Sequence, residues 1–288
     1  MDKRLNIAWL RHERIWKDNR YVYAVVSRRS KGVSVGINLN PGKECNFDCI
    51  YCQVNRHIPA STRKVDLQAL EAELDLLLEA EKNGSLYRDP PFDLLAPSER
   101  GVRDIAFSGD GEPTTFPHFS DAVRIAALAR NRFGLHPAKL ILLTDAAYLH
   151  KPAVKAALDL LDANNGEIWA KLDAGTEKYF RIVNRPNVTL ERIVRNILDA
   201  ARVRPVTIQS LWFRIEGAPP PSEEIEAYCA RLNEMMSAGG KFSLLQLYTI
   251  AREPAEPSAS SLSNPELDSL AASVRARVPV PVEVFYSG

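Results

Sequence analysis

The chain alternates between apolar runs rich in β-branched residues and stretches whose apolar residues recur at helical spacing. The runs predict strands at Val33 to Leu39, Asp104 to Ser108, Lys139 to Thr144, Ile168 to Asp173, Val206 to Phe213, Phe242 to Ile250 and Pro281 to Tyr286. The intervening stretches predict helices at Asp66 to Lys82, Phe119 to Phe133, Lys151 to Asp162, Leu190 to Ala201, Ser222 to Ala238 and Pro265 to Arg277. This alternation predicts parallel strands joined by crossover helices, in an open doubly wound sheet or in a full or partial barrel.

Length and composition indicate a chain with a substantial core and no strong overall electric field. The chain has 288 residues, of which 45% are hydrophobic, and its formal net charge is +1. A near-neutral chain neither requires nor excludes a nucleic-acid partner. No apolar run is long enough for a secretory signal or a membrane-spanning helix, so we expect a cytoplasmic protein without a membrane partner.

Three of the four cysteines, Cys45, Cys49 and Cys52, form a CxxxCxxC pattern directly after the first predicted strand. This position is a loop at the carboxyl end of a strand, where α/β active sites lie. Such clustering is typical of a metal site in a reducing compartment rather than of a disulfide framework. Two kinds of site fit: a structural zinc site with His57 as fourth ligand, and a four-iron cluster whose fourth iron binds a small molecule.

Two further segments place polar groups at strand ends. FSGDGEPT, from Phe107 to Thr114, ends the second predicted strand in a glycine-rich turn that carries Glu112. Such a turn frees backbone groups beside a carboxylate, as an ammonium ligand requires. Lys171 and Asp173 lie on one side of the fourth predicted strand, because side chains alternate with period two. They form either a surface ion pair or part of a charged binding site.

Polar residues also interrupt two predicted core strands. Gln209 lies in VTIQSLWF and Gln246 lies in LLQLYTIAR. Buried amides cost free energy unless they are hydrogen-bonded, so these glutamines either pair within the core or line a cavity. The remaining cysteine, Cys229, lies in the helical pattern EIEAYCARL and is predicted to be a buried core thiol.

The cysteine spacing, with the aromatic Tyr51 directly before the last cysteine, resembles the signature loop of the radical S-adenosylmethionine (radical SAM) superfamily. The resemblance implies that the three cysteines bind a [4Fe–4S] cluster, that SAM chelates the fourth iron, and that Tyr51 lies near the adenine. FSGDGEPT resembles the Gly-Gly-Glu-Pro element that holds the SAM amino group in that family. The residues carried over are Gly109, Gly111, Glu112 and Pro113, while Asp110 stands where the family often has Gly or Met.

A SAM pocket would give the other polar residues a role. We expect Lys171 to bind the SAM carboxylate and Asp173 to bind the ribose hydroxyls. Both side chains lie on one side of the predicted strand and can therefore reach the same opening. Gln209 and Gln246 are then predicted to line the same pocket.

The segment AKLDAGTEKYFRIVNRP, from Ala170 to Pro186, is similar to one in the radical SAM group that contains the tRNA wybutosine-synthesising enzyme. The matching residues are Asp173, Ala174, Tyr179, Ile182, Arg185 and Pro186. The resemblance extends from about Tyr21 to Tyr286 and implies a partial (β/α)6 barrel of the radical SAM kind. We expect an N-terminal extension, residues 1–31, packed outside a core domain of residues 32–288. The wybutosine enzyme carries a second cluster on cysteines N-terminal to the first, whereas no cysteine precedes Cys45 here.

The resemblance implies an enzyme in which a reduced cluster cleaves SAM and the resulting 5′-deoxyadenosyl radical abstracts hydrogen from a substrate. A one-electron donor such as a flavodoxin or ferredoxin would be required. The substrate stays open between an RNA nucleoside, a protein and a small molecule, and no catalytic residue is assigned. The alternatives are an activase that installs a radical on a partner protein and a non-catalytic zinc-binding interaction module. Basic residues expected at the rim would bind RNA phosphates or form a solvated face: Arg28, Arg29, Arg56, Arg63 and Lys64.

Overall fold

The structure is a computed structural model that describes residues 7–9, 16–60, 62 and 64–287. The chain divides into two compact units. The first unit comprises Met1–Glu44, Pro59–Leu143 and Lys151–Glu167, and the second comprises Cys45–Ile58, Thr144–His150 and Ile168–Gly288.

The first unit contains a mostly parallel sheet. Its strands are β1 (Val22–Ser27), β2 (Gly32–Ile37), β3 (Val102–Phe107) and β4 (Lys139–Thr144, whose last residue belongs to the second unit). β1 runs antiparallel to β2, whereas β2 pairs in parallel with β3 and β3 with β4. Every residue of β2 is buried, as expected for a strand covered on both faces. Gly36 is required there because a Cβ atom would lie 2.1 Å from the ring of Tyr23.

Helices α1 (Leu67–Lys82), α2 (Phe119–Arg132) and α3 (Pro152–Asp162) accompany this sheet. α1 begins where the Asp66 carboxylate accepts hydrogen bonds from the backbone N–H groups of Gln68 and Ala69, a standard N-cap. Its leucines recur at helical spacing and bury one face, at about 1.5–3 kcal/mol for each fully buried side chain. These leucines are Leu70, Leu74, Leu77 and Leu78.

The second unit contains the strands β5 (Gly166–Lys171, whose first two residues belong to the first unit), β6 (Val206–Leu211), β8 (Phe242–Tyr248) and β10 (Val282–Phe285). β5 pairs in parallel with β6, β6 with β8 and β8 with β10. A separate antiparallel pair joins β7 (Phe213–Ile215) to β9 (Ala259–Ser261). The helices are α4 (Glu177–Val183), α5 (Leu190–Val203), α6 (Ser222–Ser237) and α7 (Asn264–Arg277).

The seven predicted strands and six predicted helices are present, and the differences are local. Val206 to Phe213, predicted as one strand, is divided between β6 and β7 at Trp212. β1, α4 and β9 were not predicted as elements, and β1 falls within the predicted N-terminal extension. β1 is hydrogen-bonded to β2, so this part of the extension is a strand of the sheet rather than a segment outside it. Among the described residues, no helix has both the length and the apolar character needed to cross a bilayer.

Candidate functional site

The loop that carries Cys45, Cys49 and Cys52, here called the cysteine loop, belongs to the second unit. It is hydrogen-bonded to the end of α4. Backbone N–H groups of Asp48 and Ile50 donate to the carbonyls of Asn184 and Val183 at 3.1 and 3.0 Å. Cys45, Cys49 and Cys52 form no disulfide within the described chain, and each is partly exposed. The Cys52 N–H donates to the Cys49 carbonyl at 2.9 Å, so the loop turns between these two cysteines.

Two N–H donors point at cysteine sulfur atoms. Asn184 Nδ2 lies 3.3 Å from Cys49 Sγ, and an Arg56 guanidinium nitrogen lies 3.4 Å from Cys52 Sγ. Burial, followed by the nearby Asp173 carboxylate, raises the pKa of the Cys49 thiol to about 12. Donors of this kind stabilise negative charge on sulfur, as thiolate ligands of a metal require. Three cysteine thiols on one short loop, with N–H donors at Cys49 and Cys52, therefore fit an iron–sulfur cluster.

Asp173, two residues beyond the end of β5, has both carboxylate oxygens engaged within the protein. Oδ1 accepts a hydrogen bond from the backbone N–H of Leu211 at 2.9 Å. Oδ2 accepts from the Tyr51 hydroxyl at 2.5 Å and from Asn184 Nδ2 at 3.0 Å. The side chain is 2% exposed, so these contacts replace water. Asp173 thereby connects β5, β6, the cysteine loop and the end of α4.

Lys171 lies beside Asp173, as the period-two spacing predicts. Its Nζ is 3.5 Å from Asp173 Oδ2 and donates to the Tyr248 hydroxyl at 2.8 Å. The ammonium also lies 4.9 Å from the centre of the Tyr51 ring. Burial by itself lowers the pKa of Lys171, but the Asp173 carboxylate, with Tyr248, outweighs it and raises the pKa. The group is therefore a persistent cation, suited to an anionic ligand and poorly suited to act as a nucleophile.

Gln209 and Gln246 are paired across neighbouring strands. Gln209 Nε2 donates to Gln246 Oε1 at 2.7 Å, and both side chains are almost fully buried. Lys171 is in register with Gln209, and Gln209 is in register with Gln246. The three residues therefore form one polar row across β5, β6 and β8, on the side of the sheet that carries Asp173.

The loop after β5 is held by Glu224 of α6. The Glu224 carboxylate accepts hydrogen bonds from the backbone N–H groups of Gly175 and Thr176 at 2.5 and 3.0 Å. Gly175 is required because a Cβ atom there would lie 2.1 Å from the backbone nitrogen of Tyr228. This anchoring fixes the chain immediately after Asp173, which is why that carboxylate has a defined position.

The Gly-Asp-Gly-Glu-Pro turn, Gly109 to Pro113, lies in the first unit and is hydrogen-bonded to the chain that follows β2. Asn38 Nδ2 donates to Asp110 Oδ2 at 2.8 Å, and Asn38 Oδ1 accepts from the Asp110 N–H at 3.2 Å. The Glu112 N–H donates to the carbonyl of Glu44, the residue before Cys45, at 3.2 Å. A Cβ atom on Gly111 would lie 1.8 Å from the same carbonyl oxygen, so only glycine fits.

Within the turn, the Glu112 carboxylate is buried and oriented by its neighbours. Its Oε1 accepts hydrogen bonds from the Thr114 N–H at 3.1 Å and from the Thr114 hydroxyl. Pro113 begins a short 3-10 turn, Pro113–Thr115, that Glu112 caps. These contacts give the carboxylate a fixed direction before any ligand binds.

The described basic residues that were predicted at the rim differ in their surroundings. Arg28 and Arg29 lie in the turn between β1 and β2, at the amino end of β2, whereas the cysteine loop follows its carboxyl end. Their placement at the rim was therefore wrong, because the antiparallel strand β1 was not predicted. Arg56 contacts Cys52, the Lys64 carbonyl accepts a hydrogen bond from the Tyr21 hydroxyl, and Arg63 lies outside the described residues.

The remaining predictions concern other possible ligands. His57 is exposed, and its backbone N–H donates to Asn55 Oδ1 at 2.9 Å. In the described part of the chain, no three His, Cys, Asp or Glu side chains form a group arranged to hold a single metal ion. Cys229 is buried in α6, which confirms it as a core thiol. Asn184 was missed, because nothing in the local sequence distinguishes an asparagine that contacts a thiol.

Comparison with known proteins identifies the family. The model of the radical SAM superfamily matches residues 39–217. A protein of Brachyspira hyodysenteriae named GTPase Obg is 22% identical over 270 residues, which cover 93% of this chain but only 35% of that protein. The chain thus spans about a third of that relative, whose name concerns a much longer protein.

Two solved structures share the fold. A radical SAM methyltransferase from Sphaerobacter thermophilus aligns with a TM-score of 0.63 and 15% identity, over 92% of this chain and 69% of that one. A structure of TYW1 with a lysine-pyruvate adduct bound aligns with a TM-score of 0.52 and 13% identity, over 96% of this chain and 82% of that one. These similarities confirm the predicted α/β fold class, a partial barrel of the radical SAM kind. The cysteine loop, the family match and the shared fold agree, and the chain belongs to the radical SAM superfamily of iron–sulfur enzymes.

Proposed function

We propose that the chain binds a [4Fe–4S] cluster through Cys45, Cys49 and Cys52 and uses it to cleave SAM reductively. When bound, the cluster would supply one electron to SAM, whose carbon–sulfur bond would break to release methionine and leave a 5′-deoxyadenosyl radical able to abstract a hydrogen atom from the substrate. The observation that carries the proposal is the hydrogen-bonded network joining Cys49, Tyr51, Asp173 and Lys171 at the carboxyl end of β5. Such a network places a thiol, an aromatic ring and a cation on one rigid support.

In this proposal, each SAM group has residues of the chain to bind it. Glu112, with Gly109, Gly111 and Pro113 shaping its turn, binds the amino group. Lys171 binds the carboxylate, because its persistent positive charge forms charge-assisted hydrogen bonds with such a group. Tyr51 lies along the adenosine, and Gln209 and Gln246 line the pocket.

The contacts of Asp173 favour a role different from direct ribose binding. Its two oxygens already accept three hydrogen bonds from Leu211, Tyr51 and Asn184. A ribose hydroxyl would have to displace one of them or add a further bond to a crowded carboxylate. We propose that Asp173 instead holds Tyr51 and Lys171 in position for the cofactor.

The enzyme also needs a one-electron donor, and a flavodoxin or ferredoxin has the appropriate chemistry. The substrate supplies the hydrogen atom, and an RNA nucleoside remains one prediction. It receives no support from Arg28 and Arg29, which lie at the other end of β2. The clustered thiols suit a reducing compartment, so the proposed location is the cytoplasm.

Anaerobic reconstitution tests the proposal. The loaded protein is expected to contain about four iron and four sulfide ions per chain and, with dithionite, to convert SAM to 5′-deoxyadenosine and methionine. Replacing Cys45, Cys49 or Cys52 with Ala should abolish both, whereas Cys229→Ala should retain both because this thiol is buried in α6. Zinc in place of iron, or a loaded protein that leaves SAM intact, would contradict the proposal.

A further inference from the structure

Asn184 connects the cluster loop to the network around Asp173. It lies at the C-terminal end of α4, where its backbone N–H donates to the Phe180 carbonyl at 2.9 Å. The next residue, Arg185, has a φ angle of +41°, a left-handed conformation in which the helix does not continue. Because the Asn184 carbonyl also accepts from the Asp48 N–H, its main chain is fixed on both sides.

The side chain of Asn184 is 1% exposed and meets three acceptors. Nδ2 lies 3.0 Å from Asp173 Oδ2, 3.3 Å from Cys49 Sγ and 3.3 Å from the Tyr51 hydroxyl oxygen. The amide orientation follows from these neighbours, because the opposite orientation would place Oδ1 against the carboxylate of Asp173. No described residue donates a hydrogen bond to Oδ1, so the contacts that orient this side chain are those of its N–H groups.

The amide nitrogen of Asn184 carries two hydrogen atoms, so it can donate to two of its three neighbouring acceptors at a time. The shortest contact assigns one hydrogen to Asp173. The Tyr51 hydroxyl gives its own hydrogen to the same carboxylate, and it is a weaker acceptor than a thiolate. When Cys49 is a metal ligand, its sulfur carries negative charge and attracts the second hydrogen of Asn184.

We propose that Asn184 is a positioning residue that donates an N–H···S hydrogen bond to Cys49 and thereby makes the cluster easier to reduce. This inference rests on the proposed function and adds a residue that sets the redox property of the cluster. Hydrogen bonds to cluster sulfurs raise the reduction potential, because the added electron increases the negative charge that the donor stabilises. The electron that enters the cluster would then be stabilised by a residue at the end of α4.

Redox titration of the reconstituted protein tests this. The variant Asn184→Ala removes the donor, and Asn184→Asp replaces it with an acceptor of the same shape. In both, the midpoint potential of the cluster, followed by its electron paramagnetic resonance signal, should shift to more negative values. A wild-type potential in an iron-replete Asn184→Ala protein would overturn the inference.

Asn196 provides the matched control. It is similarly buried, and its Nδ2 donates to the backbone carbonyls of Ala146 and Ala147 at 2.8 and 2.9 Å. Asn196→Asp should therefore lower thermal stability while leaving the cluster potential unchanged. If the cluster potential shifted as far in Asn196→Asp as in Asn184→Asp, the inference would be overturned. The loss of any buried amide would then change the potential, whether or not it contacts Cys49.

A measurement on the unmodified protein covers the case in which Asn184 variants do not retain iron. With asparagine labelled by ¹⁵N at its side-chain amide, pulsed paramagnetic resonance of the reduced cluster should detect a ¹⁵N coupling. Its absence would overturn the inference even while SAM cleavage proceeds. A wild-type protein that forms no four-iron cluster would instead overturn the proposed function, and this inference with it.

Discussion

The Tyr51 hydroxyl donates a 2.5 Å hydrogen bond to Oδ2 of Asp173, which joins the cysteine loop to the end of β5. Tyr51 precedes the last cysteine of the loop, and Asp173 follows Lys171 by two residues. The two residues thus form one structural unit. Any change in the position of the Asp173 carboxylate would be passed to the aromatic ring beside the cluster loop.

The first prediction tests this connection. Tyr51→Phe retains the ring and removes a partly buried hydrogen bond to the buried Asp173 carboxylate, so it should lower the free energy of unfolding by about 1.5–3 kcal/mol. Tyr286→Phe is the control, because its hydroxyl makes a 2.5 Å bond to the exposed Asp268 and water can replace it. Chemical denaturation of the metal-free protein measures both. Equal losses of unfolding free energy in the two variants would contradict this prediction, because the Tyr51 hydrogen bond would then contribute no more than a solvent-exposed one.

The second prediction separates SAM binding from the cluster. Lys171→Ala should weaken SAM binding about 10- to 150-fold, since charge-assisted hydrogen bonds contribute about 1.5–3 kcal/mol. The cluster should remain, because Asp173 keeps its bonds to Tyr51, Asn184 and Leu211. Lys139→Ala, which breaks an exposed ion pair with Glu167 in the first unit, should leave SAM affinity unchanged. Calorimetric titration measures each, and unchanged affinity in Lys171→Ala would remove this residue from the proposed pocket.

The third prediction concerns the turn that carries Glu112. Gly111→Ala would place a Cβ atom 1.8 Å from the Glu44 carbonyl oxygen, so the backbone must move. We expect a loss of about 1–3 kcal/mol in stability, as for other overpacked sites, together with weaker SAM binding. Gly42→Ala is the control, because the nearest atoms that its Cβ would meet are the carboxylate atoms at the far end of the exposed Glu44 side chain, which can move aside. Similar stability of the two variants, measured by thermal denaturation, would contradict this account.

The fourth prediction concerns pH dependence in the first unit. Asp104 is 1% exposed, and burial raises its pKa from 3.8 to about 6, although hydrogen bonds from Ser30 and Ser34 lower it in part. Between these two pH values the folded protein binds a proton that the unfolded chain has released. Stability therefore falls as pH rises through this window, by about 3 kcal/mol in total.

Asp104→Asn should remove this slope, and urea denaturation at pH 4.5 and pH 7.5, compared with the wild type, measures it. Ser34→Ala provides a second test, because Ser34 donates a 2.5 Å hydrogen bond to Asp104 Oδ1. Without that donor the pKa of Asp104 should rise further, and the window of falling stability should extend to higher pH. An identical pH dependence in wild type and Asp104→Asn would show that this carboxyl does not contribute.

Much of the fold followed from local pattern, because each predicted element buries a face with its own period. The strand β4 begins and ends at the predicted residues, since a continuous apolar run leaves no other boundary. β1 was not predicted, because it is an antiparallel edge strand that precedes β2 without an intervening helix and so breaks the alternation of strands and helices. α4 escaped because its seven residues provide too few turns for a periodic pattern.

The amino-acid sequence by itself determined which residues carry the chemistry: the three thiols on one loop, the turn with Glu112, and Lys171 and Asp173 on one side of a strand. These features are local, since loop spacing and period-two alternation operate over a few residues. Only the tertiary structure decided the partners. Asn184 meets Cys49 across 135 positions of the chain, and Tyr51 meets Asp173 across 122. Such contacts depend on how α4 and the loop after β5 pack together, and no spacing in the sequence encodes that distance.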